Sequence, residues 1–425
     1  MKSALFPLFL MIVLSTRSIS FSQNVYIPDT NFKAALLAKH HVNLNGDGEI
    51  QISEASTYAG SIDVHNLQIY DLTGIAAFSA ITGLNCDSNG LTSLDVSHNR
   101  NLSALYCSNN WLTSLDLSFN TALTHLECYD NQLTSLNVYG ATAISFLGCI
   151  GNQLTGLNVS SNTALKTLWC WANYLVALDV TANTKLDALV CWNNQIATLD
   201  VSANHALTYL ECSHNQLANL NVSGADSLRI IGCGYNQLTH LDLSHNPALA
   251  TLWCSYNQLT DLDASSNTAL INLVCDHNFL ATLNVKNGNN NNMPTYSFVS
   301  NHNPDLTCIE VDNVAYSNSH WSGEVDATVT FALHCQKATT GINHVNNDGL
   351  IAIYPNPASD QITISTNLAD NQTMEIHDVR GTQILMRNIE ETAVIDVSSF
   401  ENGIYFLTIK TSSQFTSKRF VIVRS

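Results

Sequence analysis

Two sets of residues in this 425-residue chain carry chemistry by type and spacing. The first is the run Asn43-Leu44-Asn45-Gly46-Asp47-Gly48-Glu49-Ile50-Gln51-Ile52-Ser53-Glu54. Asn43, Asn45 and Asp47 alternate, so their side-chain oxygens can converge on one cation, and Gly48 permits the sharp turn such a loop needs. Glu49 offers its carbonyl, Gln51 can act through a water, and Glu54 can close the site with both oxygens. That donor set suits calcium in a structural role. An Asn where an Asp would be usual removes one charge, which points to an affinity of roughly 10⁻⁴ to 10⁻³ M. A metal-free Asn/Gly turn is the alternative. Asp29 ahead of Phe32 and Leu36 can cap an incoming helix.

The second set is the cysteines. Cys86, Cys107, Cys128, Cys149, Cys170, Cys191, Cys212, Cys233, Cys254 and Cys275 recur at a constant interval of 21 residues. A fixed interval marks a repeat array. The unit Leu123 to Ala143 shows its grammar, with Leu126, Cys128, Asn131 and Leu133 in fixed places. Alternation in L-x-x-L-x-C turns Leu126 and Cys128 inward and Glu127 outward. Asn131 and its equivalents, from Asn89 to Asn278, can bond the backbone of their own turn and of the next coil. The second half of each unit, Leu133 to Val138, repeats the apolar spacing and predicts a second extended segment. No unit can bury its apolar side alone, so about ten coils must stack into a rod or shallow arc on the order of 50 Å long. The Cys column reads as inert, buried thiols, with occasional oxidation or metal capture as the alternative.

A strict polar column follows the second segment: Asp95, Asp116, Asn137, Asn158, Asp179, Asp200, Asn221, Asp242, Asp263 and Asn284. Turn capping is one reading and a calcium or sugar stripe the other. The outward residue before each Cys spells Glu127, Gly148, Trp169, Val190 and then Glu211, Gly232, Trp253, Val274. A defect repeats as well, at Ala141 and Ala225, 84 residues apart. Four coils have been duplicated. Aromatic residues crowd these outward and strand-exit positions: Tyr106, Tyr129, Phe146, Trp169, Trp171, Trp192, Tyr209, Tyr235, Trp253 and Tyr256. Trp169, Trp171 and Trp192 form the expected centre, with His125, Glu127, Asp130 and Glu211 beside them. Contiguous exposed aromatics mark a binding surface for a protein or polysaccharide. Alternatively, they only stack on one another and stiffen the array.

The repeat resembles the leucine-rich repeat family over residues 81–300, with Cys replacing the last strand leucine. The short unit leaves no room for the long helix of larger members. The front loop resembles an EF-hand loop. From Leu350 the pattern changes to short alternating strands, an all-β (Ig-like) sandwich. Its stretches YPNPASDQITI, DVRGTQIL, IDVSSFENGIYFLTI and KRFVIV resemble the type A C-terminal sorting domain of the type IX secretion system. The residues that match its motifs are Pro355, Asn356, Pro357, Gly381, Gly403, Tyr405 and Lys418. The resemblance implies that residues 349–425 are read by an outer-membrane export machine, then removed, often with attachment of the protein to surface lipopolysaccharide.

Lys2 and the apolar run Ala4 to Leu14 read as an export signal ending near residue 22, too short to span a bilayer. The expected organisation is therefore a signal at 1–22, a cap with the calcium loop at 23–80, the solenoid at 81–300, a second cap at 301–336, a linker at 337–348 and the sorting module at 349–425. Cys308 and Cys335 fall off the 21-residue interval, and in an exported protein such a pair reads as a disulfide sealing the far end. A formal charge of −18 argues against nucleic acid and anionic lipid. The chain has no nucleophile elbow, HExxH or phosphate loop, and its 15 His are scattered. A secreted or surface-held, non-catalytic binding protein is the expectation, with a ligand-free surface spacer as the alternative.

Overall fold

The computed structural model describes residues 23–38, 42–335, 351–366, 372–411 and 415–424. The expected export signal and linker lie outside the described residues. The chain forms two compact units, one ending at Cys335 and one beginning at Gln336.

The first unit is a solenoid. Each 21-residue coil gives one three-residue strand, and these pair in parallel from Ser61–Asp63 to Phe298–Val299 in a twelve-stranded sheet. The register is one coil per step, Leu105 opposite Leu126 and Leu126 opposite Leu147. Ten of the twelve strands are followed by a ladder cysteine. The first rung of the ladder comes from the coil before Cys86, where Ser61–Asp63 pairs with Gly83–Asn85. Within a coil Leu123, Leu126, Cys128 and Leu133 are fully buried, and Val138 nearly so. Each such aliphatic side chain contributes roughly 1.5–3 kcal/mol of burial.

The second row of strands is less continuous than the repeat predicts. Ser114–Asp116 pairs only with Ser135–Asn137, and Thr198–Asp200 only with Asn219–Asn221. At 156–158 and 177–179 no strand forms. An open trough of about 770 Å³ lies there, bordered by Leu136, Gly156, Leu157 and Asp179. The strand is missing at 240–242 as well, and the losses at 156–158 and 240–242 each follow a coil in which the second Asn is Ala, at Ala141 and Ala225.

Both ends are covered. Asp29 caps the helix Thr30–Leu37, accepting from the N–H groups of Asn31 and Phe32, and its other oxygen takes those of Tyr70 and Asp71 in the first coil. Burial opposes that charge, but these N–H groups outweigh it and hold the carboxyl below the usual range. Phe32 and Leu36 close the core at this end. At the other end Trp321 is fully buried and stacks on Phe298 at 4.3 Å. Cys308 and Cys335 form the expected disulfide, beside the parallel pair Cys308–Glu310 and Thr330–Ala332.

The second unit is a β-sandwich of antiparallel sheets, one from Ile351–Tyr354, Gln361–Thr366 and Thr392–Asp396, the other from Gln372–Asp378, Gln383–Ile389, Gly403–Lys410 and Phe415–Ile422. Ile362, Ile364, Met374, Ile376, Leu407 and Phe420 fill its core. Asn356 accepts from Val421 N–H, and the Lys418 ammonium donates to the Ile351 carbonyl, so motif residues here hold the sandwich together.

Candidate binding face

The strand exit explains why the repeat can present side chains in columns. After each Cys the chain turns through a residue with positive φ, such as Asn109, Asp130, Asn193 and Tyr235, all between 48° and 54°. The Asn that follows locks the turn. Asn131 donates to the carbonyls of Cys107, Cys128 and Tyr129, and its oxygen accepts the N–H of Leu112. These partners lie in its own turn and the preceding coil, whereas the next coil was expected, because the chain winds so that each turn rests on the one before. The thiols are buried, and three donate to a carbonyl of the next coil, as Cys128 does to Gly148. Burial pushes Cys149, Cys191 and Cys233 up to about 12.

The Asp/Asn column after the second segment is a set of turn caps. Each of its ten side chains accepts the N–H two residues on, from Ser97 on Asp95 to Lys286 on Asn284.

The duplicated four coils set Glu127, Gly148, Trp169 and Val190 in register across adjacent strands, and Glu211, Gly232, Trp253 and Val274 likewise. The two copies use their aromatics differently. In the first copy the rings satisfy one another. Tyr106, His125, Phe146 and Trp169 form a chain of contacts at 5.1, 4.4 and 5.0 Å. Trp171 and Trp192 are half-buried and stacked at 4.6 Å, a pair separate from Trp169 rather than one cluster with it. Tyr129 lies over Gly148, where a Cβ would fall 2.2 Å from its ring. His125 bonds Glu127 at 2.8 Å.

In the second copy the exit positions of the Trp171 and Trp192 column are small or polar: Ser213, Gly234, Ser255 and Asp276. Aromatics have moved one residue on, into the positive-φ column. His214, Tyr235, Tyr256, His277 and His302 stack continuously at 4.1–4.3 Å. A bulky residue in this region costs about 1–2 kcal/mol, and stacking is what offsets it. The sequence reading picked out Tyr235 and Tyr256 but missed the three histidines. The column one place beyond the strand exit would have revealed them. Trp253 is 38% exposed, and among the described residues no ring packs against it. Tyr209 and Glu211 share its strand side, with Glu211 accepting from Ser213 N–H at 3.1 Å.

At the front loop, oxygens of Asn43, Asn45 and Asp47 accept the N–H groups of Gly46, Asp47 and Glu49, a ladder of tight turns. Asn45 and Gln51 point their amide nitrogens at the Asp47 carboxylate, at 3.0 and 2.8 Å. Glu54 is buried and accepts from the N–H groups of Leu44, Asn45 and Gln51. Glu49 pairs through its side chain with Lys33 at 2.7 Å. The oxygen inventory fits a hard cation, provided that the Asn45 and Gln51 amides turn over to present oxygen. Among the described residues no group of three or more His, Cys, Asp or Glu is placed to hold a metal ion.

Residues 352–423 match the family model described as a secretion system C-terminal sorting domain. The chain is exported through the type IX system to the medium or the outer surface. No curated protein matches the chain in sequence. Among solved structures it is similar to a functional domain of InlJ from Listeria monocytogenes described as including a cysteine ladder, at 24% identity over 94% of this chain and 98% of that one, with a TM-score of 0.48. It is also similar to the internalin InlF from the same organism (18% identity, 75% and 100% covered, TM-score 0.39). A third is YopM, a leucine-rich effector protein from Yersinia pestis (19%, 59% and 79%, 0.39). Among the described residues no helix is long and apolar enough to cross a membrane.

Proposed function

We propose that the solenoid is a non-catalytic binding module that meets a protein or polysaccharide outside the cell through the strand side of its long sheet. What supports this reading is the exposure of Trp169 and Trp253, 36% and 38%, at equivalent places in a duplicated surface. A core has no use for these rings, and burying exposed aromatics is a main source of interface energy. The self-stacked pair Trp171 and Trp192 favours the second reading, a stiff spacer. The test is a screen of the full chain against immobilised glycans and extracellular proteins, repeated with the Trp169→Ala/Trp253→Ala variant. Retention of a partner that the variant loses, at unchanged melting temperature, supports a binding module. Identical profiles for both proteins would leave the spacer.

The front loop is proposed to take calcium as a structural ion. Two carboxylates, Asp47 and Glu54, with amide oxygens around them suit a dissociation constant of roughly 0.1–1 mM. Calcium at 10 mM then stabilises the cap by about 1.4–2.7 kcal/mol. Glu54→Gln should abolish the thermal shift given by calcium but leave magnesium without effect in either protein. A wild-type melting curve indifferent to calcium would refute the proposal.

A further inference from the structure

The two copies of Glu-Gly-Trp-Val differ in what occupies the glycine. At Gly148 the notch is closed by the ring of Tyr129, whose hydroxyl is buried without a partner, and Phe146 meets the neighbouring Trp169 edge-on. At Gly232 a carboxylate takes the place of that ring: the three atoms nearest a Cβ there all belong to Glu211, the far end of a flexible side chain that lies over the buried glycine. Ser213 stands where the first copy has Tyr129. Gly234, on the same coil, adds a second position without a side chain.

We infer that Glu211, Gly232 and Trp253 form a subsite for a single pyranose ring of an uncharged or amino sugar, the ring lying over Gly232 against the indole of Trp253. This rests on the reading of the strand side as a binding surface and names its ligand class. Three physical arguments select a sugar. The first is size. The backbones carrying Glu211 and Trp253 are two strand spacings apart, about 9.6 Å, which admits a six-membered ring but not a helix about 10–12 Å across.

The second argument is hydrogen bonding. Gly232 sits in a strand paired on both sides, with Tyr209–Glu211 and Thr251–Trp253, so the floor has no free backbone groups for an incoming peptide. Sugar hydroxyls instead find the Glu211 carboxylate, which can swing out of the notch to accept them, while an apolar ring face meets the indole. The third is charge. Residues 208–277 carry Glu211, Asp226, Asp242, Asp261, Asp263 and Asp276 against Arg229 alone, in a chain of net −18, so uronates and sulfated sugars are repelled.

The test uses the full chain with cellohexaose, chitohexaose, de-N-acetylated chitohexaose and oligogalacturonate as probes, read by tryptophan fluorescence and calorimetry. At least one of the first three should bind and oligogalacturonate should not. Gly232→Leu fills the notch without removing Trp253, and Trp253→Ala removes the ring without crowding. Each should weaken binding tenfold or more at an unchanged melting temperature. Tyr174→Ala, an exposed aromatic off this face, should bind as wild type does. Full sugar binding by both notch variants, or a preference for oligogalacturonate, overturns the subsite. A wild-type chain that captures an extracellular protein but none of these sugars overturns the subsite and leaves the binding module standing. One that captures neither overturns both.

Discussion

A single asparagine shows how much of the stability sits in side chain to backbone bonds. Asn173 donates to the carbonyls of Cys149, Cys170 and Trp171 and accepts the Leu154 N–H, all in a buried setting. Asn183, ten residues on, donates to Val159 and Asn162 carbonyls, but its oxygen is buried without a partner. Removing Asn173 strands an N–H and several carbonyls, whereas removing Asn183 also removes an orphan. Asn173→Ala should therefore cost on the order of 3 kcal/mol and Asn183→Ala on the order of 1, compared by urea denaturation of the full chain. Equal losses would contradict this, and Ala141 and Ala225 already occupy the second position naturally. The thiol column carries a second prediction. Burial holds the folded thiols protonated, up to about 12 at Cys149, Cys191 and Cys233, while unfolded thiols ionise near 8.5. Their raised folded pKa gives stability that is complete below pH 8.5 and lost as pH rises, at about 1.4 kcal/mol per pH unit for each thiol. The chain should unfold steeply between pH 9 and 11 and resist alkylation at pH 8, and a flat alkaline profile would be inconsistent with a buried ladder. The Cys column and the Asn column that includes Asn173 were legible in the sequence because their residue type never varies. The stacked histidines were not, since their column also holds Ser, Asn, Asp, Gly and Ala.

The elements add constraints that only neighbouring coils reveal. Gly140 precedes Ala141, and Gly224 precedes Ala225. A Cβ at these glycines would fall 1.8 and 2.0 Å from the carbonyl oxygens of Ser118 and Ser202. Loss of the Asn thus goes with a close approach of the preceding coil, and with the break in the second strand row that follows. Gly140→Ala must force the coils apart and should cost at least 1–3 kcal/mol, the range for overpacking. Gly156 has open space around it and should accept Ala with little change. Comparable melting temperatures for the two variants would show the approach to be relaxed easily. The alternation Leu126-Glu127-Cys128 made the first strand row predictable. The second row carries the same apolar spacing throughout, yet pairs at some coils and not at others. The close approaches at Gly140 and Gly224 precede the breaks at 156–158 and 240–242, whereas 93–95 and 177–179 lack a strand without such a glycine before them.

Stability of the whole solenoid is a sum over neighbours, so its ends govern how it fails. The cysteine that begins the last paired segments, Cys308, is tied to Cys335 across 27 residues, and Glu310 between them accepts the Cys335 N–H. Closing a loop of that size removes about 3.5 kcal/mol of chain entropy from the unfolded cap. The off-register cysteines announced this bond in the sequence, whereas the burial of Trp321 against Phe298 joins residues that no periodicity connects. Because each coil touches only its neighbours, the loss in Cys308→Ser/Cys335→Ser should stay local. Hydrogen exchange should rise most across residues 298–335, fade over the preceding coils and leave the backbone around Asn89 to Asn131 as protected as before. Uniform loss of protection along the chain would mean that the solenoid unfolds as one cooperative block, and unchanged protection at the cap would mean that Trp321 and its neighbours hold the end without the disulfide.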